Sequence, residues 1–273
     1  ECTNGRVTRI SLDDNNMRGQ LPNLIGRLNA LKFLNLSSNQ IYGNLPTELS
    51  QLVNLEYLFF ASNDFTGNIP IEIKKLQKLK TLSFGYNLLS GKLPSEFGQL
   101  LNLEVLGVEG NNLEGNLPIE ITNLTKLTSL SLSNNHFSGT IPSGIINLKN
   151  LEFLDLAWNQ FSDTIPSNFG DLIKLEAIYL SKNKLTGPIP NSIGKLINLK
   201  LCYLNDNFLT ESIPESVGQL PNIEVIFIYN NKLTGEIPTT LGQLKNIREL
   251  WSHNNNLSGC IPFELQNICR IID

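Results

Sequence analysis

Few side chains in this 273-residue chain could catalyse a reaction or bind a metal ion. The two histidines, His136 and His253, lie almost five sequence repeats apart, so they cannot share a metal ion or a catalytic base. The adjacent acids Asp13 and Asp14 have no second acid across a cleft, which acid–base catalysis on a substrate requires. No nucleophile-elbow, zinc-protease, Walker or dinucleotide-binding motif is present. The sequence therefore predicts no catalytic residue, no metal site, no cofactor and no enzymatic activity.

The composition excludes several other classes of protein. Asp and Glu number 25 against 21 Lys and Arg, a net charge of −4, whereas a nucleic-acid-binding surface needs a strong basic excess. The hydrophobic fraction of 41% is too high for a disordered chain. No apolar run reaches the roughly 18 residues of a membrane helix, so any membrane tether would need segments outside this chain. We expect a folded protein that does not bind nucleic acid.

The elements that would position a binding site follow from a period of 24 residues. Asparagine recurs 11 times at this spacing, from Asn15 to Asn255, and a proline follows seven residues after each, from Pro22 to Pro262. A glycine usually stands four residues after the asparagine, but Asp163 and Glu211 interrupt that column. Proline at this frequency excludes a coiled coil. The fixed period predicts a solenoid of 11 stacked repeats.

Each repeat also carries a Leu-x-Leu pair before its asparagine, as at Leu130 and Leu132 before Asn135. This alternation predicts a short strand with one buried face. The asparagine amide can donate and accept, so we expect it to bind backbone groups of its own turn and of the neighbouring repeat. The glycine permits an unusual backbone angle, and the proline excludes a central strand at its position.

This pattern resembles the plant-type leucine-rich repeat, L-x-x-L-x-x-L-x-L-x-x-N-x-L-x-G-x-I-P-x-x-L-G-x-L. Residues 175–196, LEAIYLSKNKLTGPIPNSIGKL, match it almost position by position, and the likeness extends over about residues 7–268. The chain is similar to the extracellular domains of receptor-like kinases and receptor-like proteins, and to polygalacturonase-inhibiting proteins.

The resemblance implies an α/β solenoid, a right-handed horseshoe of 11 repeats with a parallel sheet on the concave side and 3-10 turns or loops on the convex side. It also implies short second-sheet strands at the Ile-Pro segments. We expect a single domain over residues 1–273: residues 1–6 are the remnant of an N-terminal cap, residues 7–268 form the repeats, and residues 260–273 form the C-terminal cap region.

The concave side of such a solenoid carries an asymmetric row of aromatic residues. The position four residues before the repeat asparagine holds Tyr179, Tyr203, Phe227 and Trp251 in four consecutive repeats, which we call the aromatic stripe. At strand spacing the stripe would be about 15 Å long. The N-terminal half of this surface reads as small and polar. Aromatic side chains supply much contact area in binding sites. The predicted binding residues are Trp158, Tyr179, Tyr203, Phe227, Tyr229, Trp251, His253, Asp155 and Asn205, with Lys182 and Asp206 as further polar neighbours.

The cysteines and the glycosylation motifs bear on the compartment. Cys202 occupies a core leucine position and reads as a buried thiol. A disulfide between Cys260 and Cys269 is possible, although sequence cannot assign connectivity, and it would imply an oxidising compartment. Asn35, Asn123 and Asn256 head Asn-x-Ser/Thr motifs for glycosylation. We expect an extracellular or cell-surface protein.

Together these observations predict a non-enzymatic module that binds a peptide, glycan or protein ligand through its concave face, as in receptor ectodomains. Two alternatives remain open at this point: an inhibitor of a secreted cell-wall-degrading enzyme, and a structural component of a larger extracellular assembly. The aromatic stripe could also be covered by the chain itself, or could serve only to stabilise the sheet.

Overall fold

The computed structural model describes residues 1–3, 5–265 and 271–272, and the chain divides into two compact units, residues 1–137 (the N-terminal unit) and residues 138–273 (the C-terminal unit). Both units repeat one 24-residue coil: a strand, a tight turn, a second short strand and a 3-10 helix. The strands that precede the repeat asparagines form the first sheet, together with the strand Ile271–Ile272. The strands that follow these asparagines form the second sheet, and both sheets are parallel.

The N-terminal unit opens with a small antiparallel ribbon of Cys2–Thr3 and Arg6–Val7. Its first-sheet strands are Arg9–Ser11, Phe33–Asn35, Tyr57–Phe59, Thr81–Ser83, Val105–Gly107 and Ser129–Ser131. Its second-sheet strands are Arg18–Gln20, Gln40–Asn44, Asp64–Gly67, Leu88–Lys92 and Asn112–Asn116. Its 3-10 helices are Asn23–Arg27, Thr47–Gln51, Ile71–Lys75, Ser95–Gln99 and Ile119–Asn123.

The C-terminal unit continues the pattern. Its first-sheet strands are Phe153–Asp155, Ala177–Tyr179, Leu201–Tyr203, Val225–Phe227, Glu249–Trp251 and Ile271–Ile272. Second-sheet strands are His136–Thr140, which pairs from Ser138 onward, then Gln160–Thr164, Lys184–Gly187 and Phe208–Leu209, with Thr234–Glu236 and Asn256–Ser258 as a separate pair. The 3-10 helices are Ser143–Asn147, Phe169–Asp171, Asn191–Lys195, Glu215–Gln219, Thr239–Gln243 and Phe263–Leu265.

The repeat asparagines form the internal ladder that the sequence predicts. The Nδ2 of Asn207 donates to the carbonyl oxygens of Leu180 (2.9 Å) and Leu204 (3.1 Å), one in the preceding repeat and one in its own. Its Oδ1 accepts from the N–H of Leu185 at 3.0 Å. Only 5% of Asn207 is exposed. Because one side chain satisfies backbone groups of two repeats, it holds their turns in register.

The residue directly before each repeat asparagine has a left-handed backbone in all 11 repeats, a feature the sequence analysis did not anticipate. We call these residues the turn column. Its φ values lie between 52° and 64°, although glycine occurs there only at Gly110. Bulky residues are included: Tyr86 has φ 54° and Trp158 has φ 53°. The turn held by the ladder therefore imposes this conformation even where the side chain disfavours it.

Proline ends the second strand of the coil. In the second repeat the strand Gln40–Asn44 precedes Pro46, whose φ of −69° and ψ of 135° are extended, and the 3-10 helix begins at the next residue. The expectation that the second strands lie at the Ile-Pro segments is wrong. The second strands end before these segments, because proline has no N–H to donate to a sheet. Gly43 in this strand has φ 85°, which favours glycine.

The core is a stack of apolar side chains from successive repeats, and Leu130 is fully buried. Cys202 occupies one leucine position and is itself buried. A void of about 10 Å³, lined only by apolar residues and Cys202, lies beside it. Such a space is at the lower limit for one water molecule and lacks polar partners, so we expect it to be dry.

A second column of Asn and Lys side chains links the coils just before the first-sheet strands. Asn54 donates through Nδ2 to the carbonyl of Asn29 at 2.9 Å and accepts through Oδ1 from Lys78 at 2.7 Å. Asn102 and Lys126 repeat the latter contact at 2.8 Å. The charged lysines of this region are therefore partly engaged in linking neighbouring repeats rather than only solvated.

Replacing Asn135 by Ala tests the ladder. This substitution leaves the carbonyls of Val108 and Leu132 without their donor and the N–H of Leu113 without its acceptor. We expect the free energy of unfolding to fall by about 1–3 kcal/mol, because these groups are buried. Urea unfolding followed by circular dichroism measures the change. The exposed Asn112 provides the control, and an equal loss for Asn112→Ala and Asn135→Ala would contradict the role of the ladder.

Replacing Cys202 by Val tests whether ionisation of this thiol lowers the unfolding free energy at alkaline pH. Burial raises the pKa of the Cys202 thiol from 9.0 to about 12. The thiol therefore ionises in the unfolded chain at a lower pH than in the folded chain, and its contribution to stability is lost as the pH rises from 9.0 to about 12. Between about pH 8 and pH 10.5, we expect the wild type to lose more unfolding free energy than Cys202→Val. Parallel losses in the two proteins would count against this account.

Candidate ligand-binding face

The first sheet of the C-terminal unit brings the predicted aromatic residues to one side. Because side chains alternate along a strand, Ile178, Cys202 and Ile226 point into the core while their neighbours face outward. The strand register pairs Tyr179 with Tyr203, Tyr203 with Phe227, and Phe227 with Trp251. We call the solvent-facing side of this sheet the open face.

The aromatic stripe is a continuous row of contacting rings. Tyr179 stacks on Tyr203 with 4.8 Å between centroids, Tyr203 meets Phe227 edge-to-face at 4.7 Å, and Phe227 stacks on Trp251 at 4.5 Å. All four side chains are half-buried. Tyr229 stacks on His253 at 4.6 Å and contacts Trp251 at 5.8 Å, which widens this end of the stripe.

Burial within the stripe affects the phenol groups. Desolvation raises the pKa of Tyr179 and of Tyr203, and nearby acidic or tyrosine groups add to the shift in the same direction. The pKa of Tyr229 is also raised, first by desolvation and then by the charge of Asp206. The three phenols therefore remain neutral donors and acceptors throughout the neutral pH range.

Three members of the turn column, Asp206, Asn230 and Asn254, form a polar row with Asn205. Asn205 Nδ2 donates to Asp206 Oδ2 at 2.7 Å, Asn230 Nδ2 donates to Asp206 Oδ1 at 2.6 Å, and Asn254 Nδ2 donates to Asn230 Oδ1 at 2.7 Å. These bonds fix amide and carboxylate groups in a line beside the rings. The row is held both by its hydrogen bonds and by the left-handed turns beneath it.

Three polar atoms of the predicted site lack a hydrogen-bond partner and are shielded from water: Asn205 Oδ1, Trp251 Nε1 and His253 Nδ1. An unsatisfied buried group costs about 1–3 kcal/mol. Because water does not reach these atoms, a ligand could bond to them only after the surrounding side chains had moved. Asn205 is only 4% exposed, so a ligand would meet it between the larger side chains around it.

The remaining predicted residues lie at the start of the same face. Trp158 is 55% exposed, and the Lys182 ammonium lies 3.6 Å from its ring centroid. Asp155 is half-buried and accepts through Oδ1 from the N–H of Ala157 at 3.0 Å. Phe153, which the sequence analysis did not select, extends the stripe because its ring lies 5.5 Å from Tyr179. A count of the position six residues before each repeat asparagine would have found it.

The same omitted position corrects the description of the N-terminal half as small and polar. In the N-terminal unit, Phe33 contacts Phe59 at 5.5 Å and Tyr57 at 6.0 Å. The Arg9 guanidinium lies 3.4 Å from the Phe33 centroid. Beside them is a cleft of about 340 Å³, lined in part by Lys32 and Glu56. Small side chains prevail only farther along the first sheet of the N-terminal unit, as at Ser83, Gly85 and Gly107.

The predicted glycosylation sites and the two C-terminal cysteines differ in how the structure describes them. Asn123 and Asn256 are exposed, whereas Asn35 is half-buried and accepts through Oδ1 from Ser37 N–H at 3.0 Å. Cys260 is exposed, but Cys269 lies outside the described residues, so their disulfide stays a prediction.

Within residues 1–3, 5–265 and 271–272, no group of three or more His, Cys, Asp or Glu could hold a metal ion. No helix in this described part is long and apolar enough to cross a membrane.

Comparison with protein families identifies the fold. The leucine-rich-repeat model matches eight segments, residues 30–52, 54–76, 78–100, 102–124, 126–148, 150–172, 174–196 and 222–244. The chain belongs to the leucine-rich-repeat family. The matched segments each begin just before a first-sheet strand, so the family match and the structural repeat agree. Comparison with curated protein sequences gives no significant match.

Solved plant receptors contain leucine-rich-repeat domains similar to this one. The TDR receptor is 33% identical, with a TM-score of 0.94 over 96% of this chain and 45% of the receptor chain. The Arabidopsis thaliana GASSHO1/SCHENGEN3 ectodomain, solved with CASPARIAN STRIP INTEGRITY FACTOR 2, is 29% identical (TM-score 0.72, 96% of this chain, 37% of that chain).

A third similar structure is the Arabidopsis receptor kinase HAESA, solved with the peptide hormone IDA and the co-receptor SERK1. It is 28% identical, with a TM-score of 0.71 over 95% of this chain and 52% of that chain. This leucine-rich-repeat chain thus spans about half the length of these receptors or less. The resemblance to plant-type leucine-rich-repeat proteins is confirmed.

Comparing the unfolding free energies of Trp158→Asn and Trp251→Ala distinguishes an exposed ring from a ring that packs on its neighbours. Trp158→Asn removes a contact with Lys182 worth about 0.5–1 kcal/mol, but it replaces a bulky residue that the left-handed turn disfavours by about 1–2 kcal/mol. We expect its unfolding free energy to stay within about 1 kcal/mol of wild type. Trp251→Ala should cost more than about 1 kcal/mol, because its ring packs on Phe227. Urea unfolding by circular dichroism measures both, and a larger loss for Trp158→Asn would contradict this ranking.

Proposed function

We propose that this chain is an extracellular, non-enzymatic recognition module that binds an extended peptide on the open face of its C-terminal unit. The observation that carries the proposal is the aromatic stripe, an unbroken row of four rings beside a polar row that includes unpartnered atoms. Rings fixed by mutual contact lose little conformational freedom when a ligand binds, so more of the contact energy appears as affinity.

The packing of the rings favours a peptide over a glycan. The faces of Tyr179 and Tyr203, and those of Phe227 and Trp251, lie largely against each other. A sugar that stacks on an aromatic platform needs an open ring face, whereas aliphatic and proline side chains can also pack on ring edges. The stripe presents mainly edges to solvent, so side chains of a peptide fit it better.

The spacing of the stripe and its polar neighbours also suits an extended main chain. The rings follow each other at 4.5–4.8 Å, and an extended peptide rises about 3.3 Å per residue, so about four or five residues would run along the stripe. The exposed amide of Asn254, at the end of the polar row, can exchange hydrogen bonds with the main chain of such a peptide.

The similar receptors support the same ligand class. HAESA is solved with the peptide hormone IDA, and another similar structure is the plant peptide hormone receptor RGFR1 with RGF2. This chain is 28% identical to HAESA and 29% identical to RGFR1. A peptide ligand and an extracellular location are therefore inferences that the open face and these relatives jointly support.

Selection from a randomised 12-residue peptide library on the whole chain tests the proposal. We expect peptides that bind the wild type and lose at least about tenfold in affinity for the double variant Tyr203→Ala/Trp251→Ala, because it removes two anchors of the stripe. Phe208→Ala is the matched control. Its ring is 45% exposed, lies in the second sheet and contacts Lys232, so affinity should be unchanged.

Two results would contradict this function. One is a set of selected peptides whose affinities are equal for the wild type and the double variant, while thermal unfolding shows that both are folded. The other is a glycan array on which oligosaccharides bind the wild type and fail to bind the double variant. The first result would place the peptide site outside the aromatic stripe, and the second would identify the ligand of the stripe as a sugar.

A further inference from the structure

The N-terminal unit contains a carboxylate that lies on a floor of glycine. A Cβ added to Gly85 would overlap Oε1 of Glu109, and a Cβ added to Gly107 would lie 2.9 Å from Oε2. Neither glycine has a left-handed backbone, so the main chain does not require glycine at these positions. The missing side chains instead make the depression that the Glu109 carboxylate occupies.

This carboxylate has no cationic partner. Its Oε2 is shielded from water and accepts no hydrogen bond from any described residue. Glu109 takes part in none of the ion pairs Lys80–Glu56, Lys195–Asp171, Lys200–Glu176 and Arg248–Glu224. By register, Gly107 lies between Ser83 and Ser131, so its neighbours in the sheet are small and uncharged. An ionised carboxylate with one oxygen kept from water and without a partner is unfavourable, and a cation bound to the carboxylate would offset its charge.

An exposed aromatic ring lies against Gly110, the residue that follows Glu109 in the chain. The ring of Tyr86 lies over Gly110, the residue after Glu109, at a distance of 2.8 Å from the position a Cβ would take. Tyr86 is 61% exposed and stands on a left-handed backbone, φ 54°, where a bulky residue is disfavoured. Its N–H donates to the Glu109 carbonyl at 2.7 Å, which fixes the two residues relative to each other.

We propose that Glu109, the floor of Gly85 and Gly107, and the Tyr86 ring form a binding subsite for a guanidinium group. A guanidinium offers paired N–H donors to a carboxylate in one plane and stacks on an aromatic face. No side chain rises from Gly85 or Gly107 to block the approach of this planar group to the carboxylate. An arginine side chain of a ligand is the chemical class that fits, and the subsite lies wholly in the N-terminal unit, independent of the aromatic stripe.

The test is a titration of the whole chain with N-acetyl-arginine amide, with N-acetyl-citrulline amide as the neutral probe of equal shape. At low ionic strength we expect saturable shifts of the Gly85, Gly107 and Gly110 amide signals in the nuclear magnetic resonance spectrum with the arginine probe alone. Glu109→Gln should weaken binding at least about tenfold, because it removes the charge of the acceptor. Glu114→Gln, an exposed acid in the same repeat, is the matched control.

A second variant and a stability measurement keep the test decisive. Tyr86→Asn should also weaken binding of the arginine probe, and asparagine already occupies this turn position at Asn134. The melting temperature of Glu109→Gln should be no lower than that of the wild type, because the carboxylate lacks a partner. Absence of binding by the wild type, equal binding of the citrulline probe, or undiminished binding by Glu109→Gln would each overturn the proposal. Loss of peptide binding in stripe variants would leave this result unchanged.

Discussion

The hydrogen bonds of one amide group per repeat hold this structure together. Most repeat asparagines share their Nδ2 between carbonyls of two successive coils and accept a backbone N–H of the preceding coil, as Asn207 does with Leu180 and Leu185. The apolar stack alone would tolerate sliding, because apolar contacts are not directional. The amide bonds are directional, so they set the register at 24 residues and force the preceding residue into a left-handed turn. Every column on the open face inherits its alignment from these bonds.

That alignment makes the open face unusual as a binding surface. In most sites the rings are brought together by loops, and part of the binding energy is lost in ordering them. Here the sheet places Tyr179, Tyr203 and Phe227 at the distance where rings attract each other, before any ligand arrives. Ring contact and strand spacing nearly coincide, since both are close to 4.7 Å. A row of aromatic residues in consecutive repeats therefore costs little to order, and its exposed edges remain available to a partner.

The sequence predicts what the period controls. The 11 first-sheet strands that precede the repeat asparagines, the buried asparagines and the four rings of the stripe all follow from counting in steps of 24, and the structure agrees. The period does not reveal a role that depends on a side chain of a neighbouring repeat or on a position outside the counted columns. Phe33 and Phe153 stand six residues before their asparagines, a column that was not counted. The turn column mixes Ser, Asp, Asn, Lys, Tyr and Trp, so composition does not reveal that a single backbone angle is imposed on all of them.

Glu109 illustrates why a repeat pattern cannot by itself locate a special residue. As a member of its column it is one polar side chain among Ser, Ala, Asn and Tyr. Its importance arises only because the adjacent positions, Gly85 and Gly107, are empty, so that a long side chain can lie across them. Tyr86 lies over Gly110 for the same reason. In a stacked coil, where a glycine leaves one column without a side chain, a side chain from a neighbouring column can occupy the space. We therefore infer that binding features of such a face arise at interruptions of its columns as well as in its continuous rows, because interruptions allow side chains to take positions that the period alone does not give them.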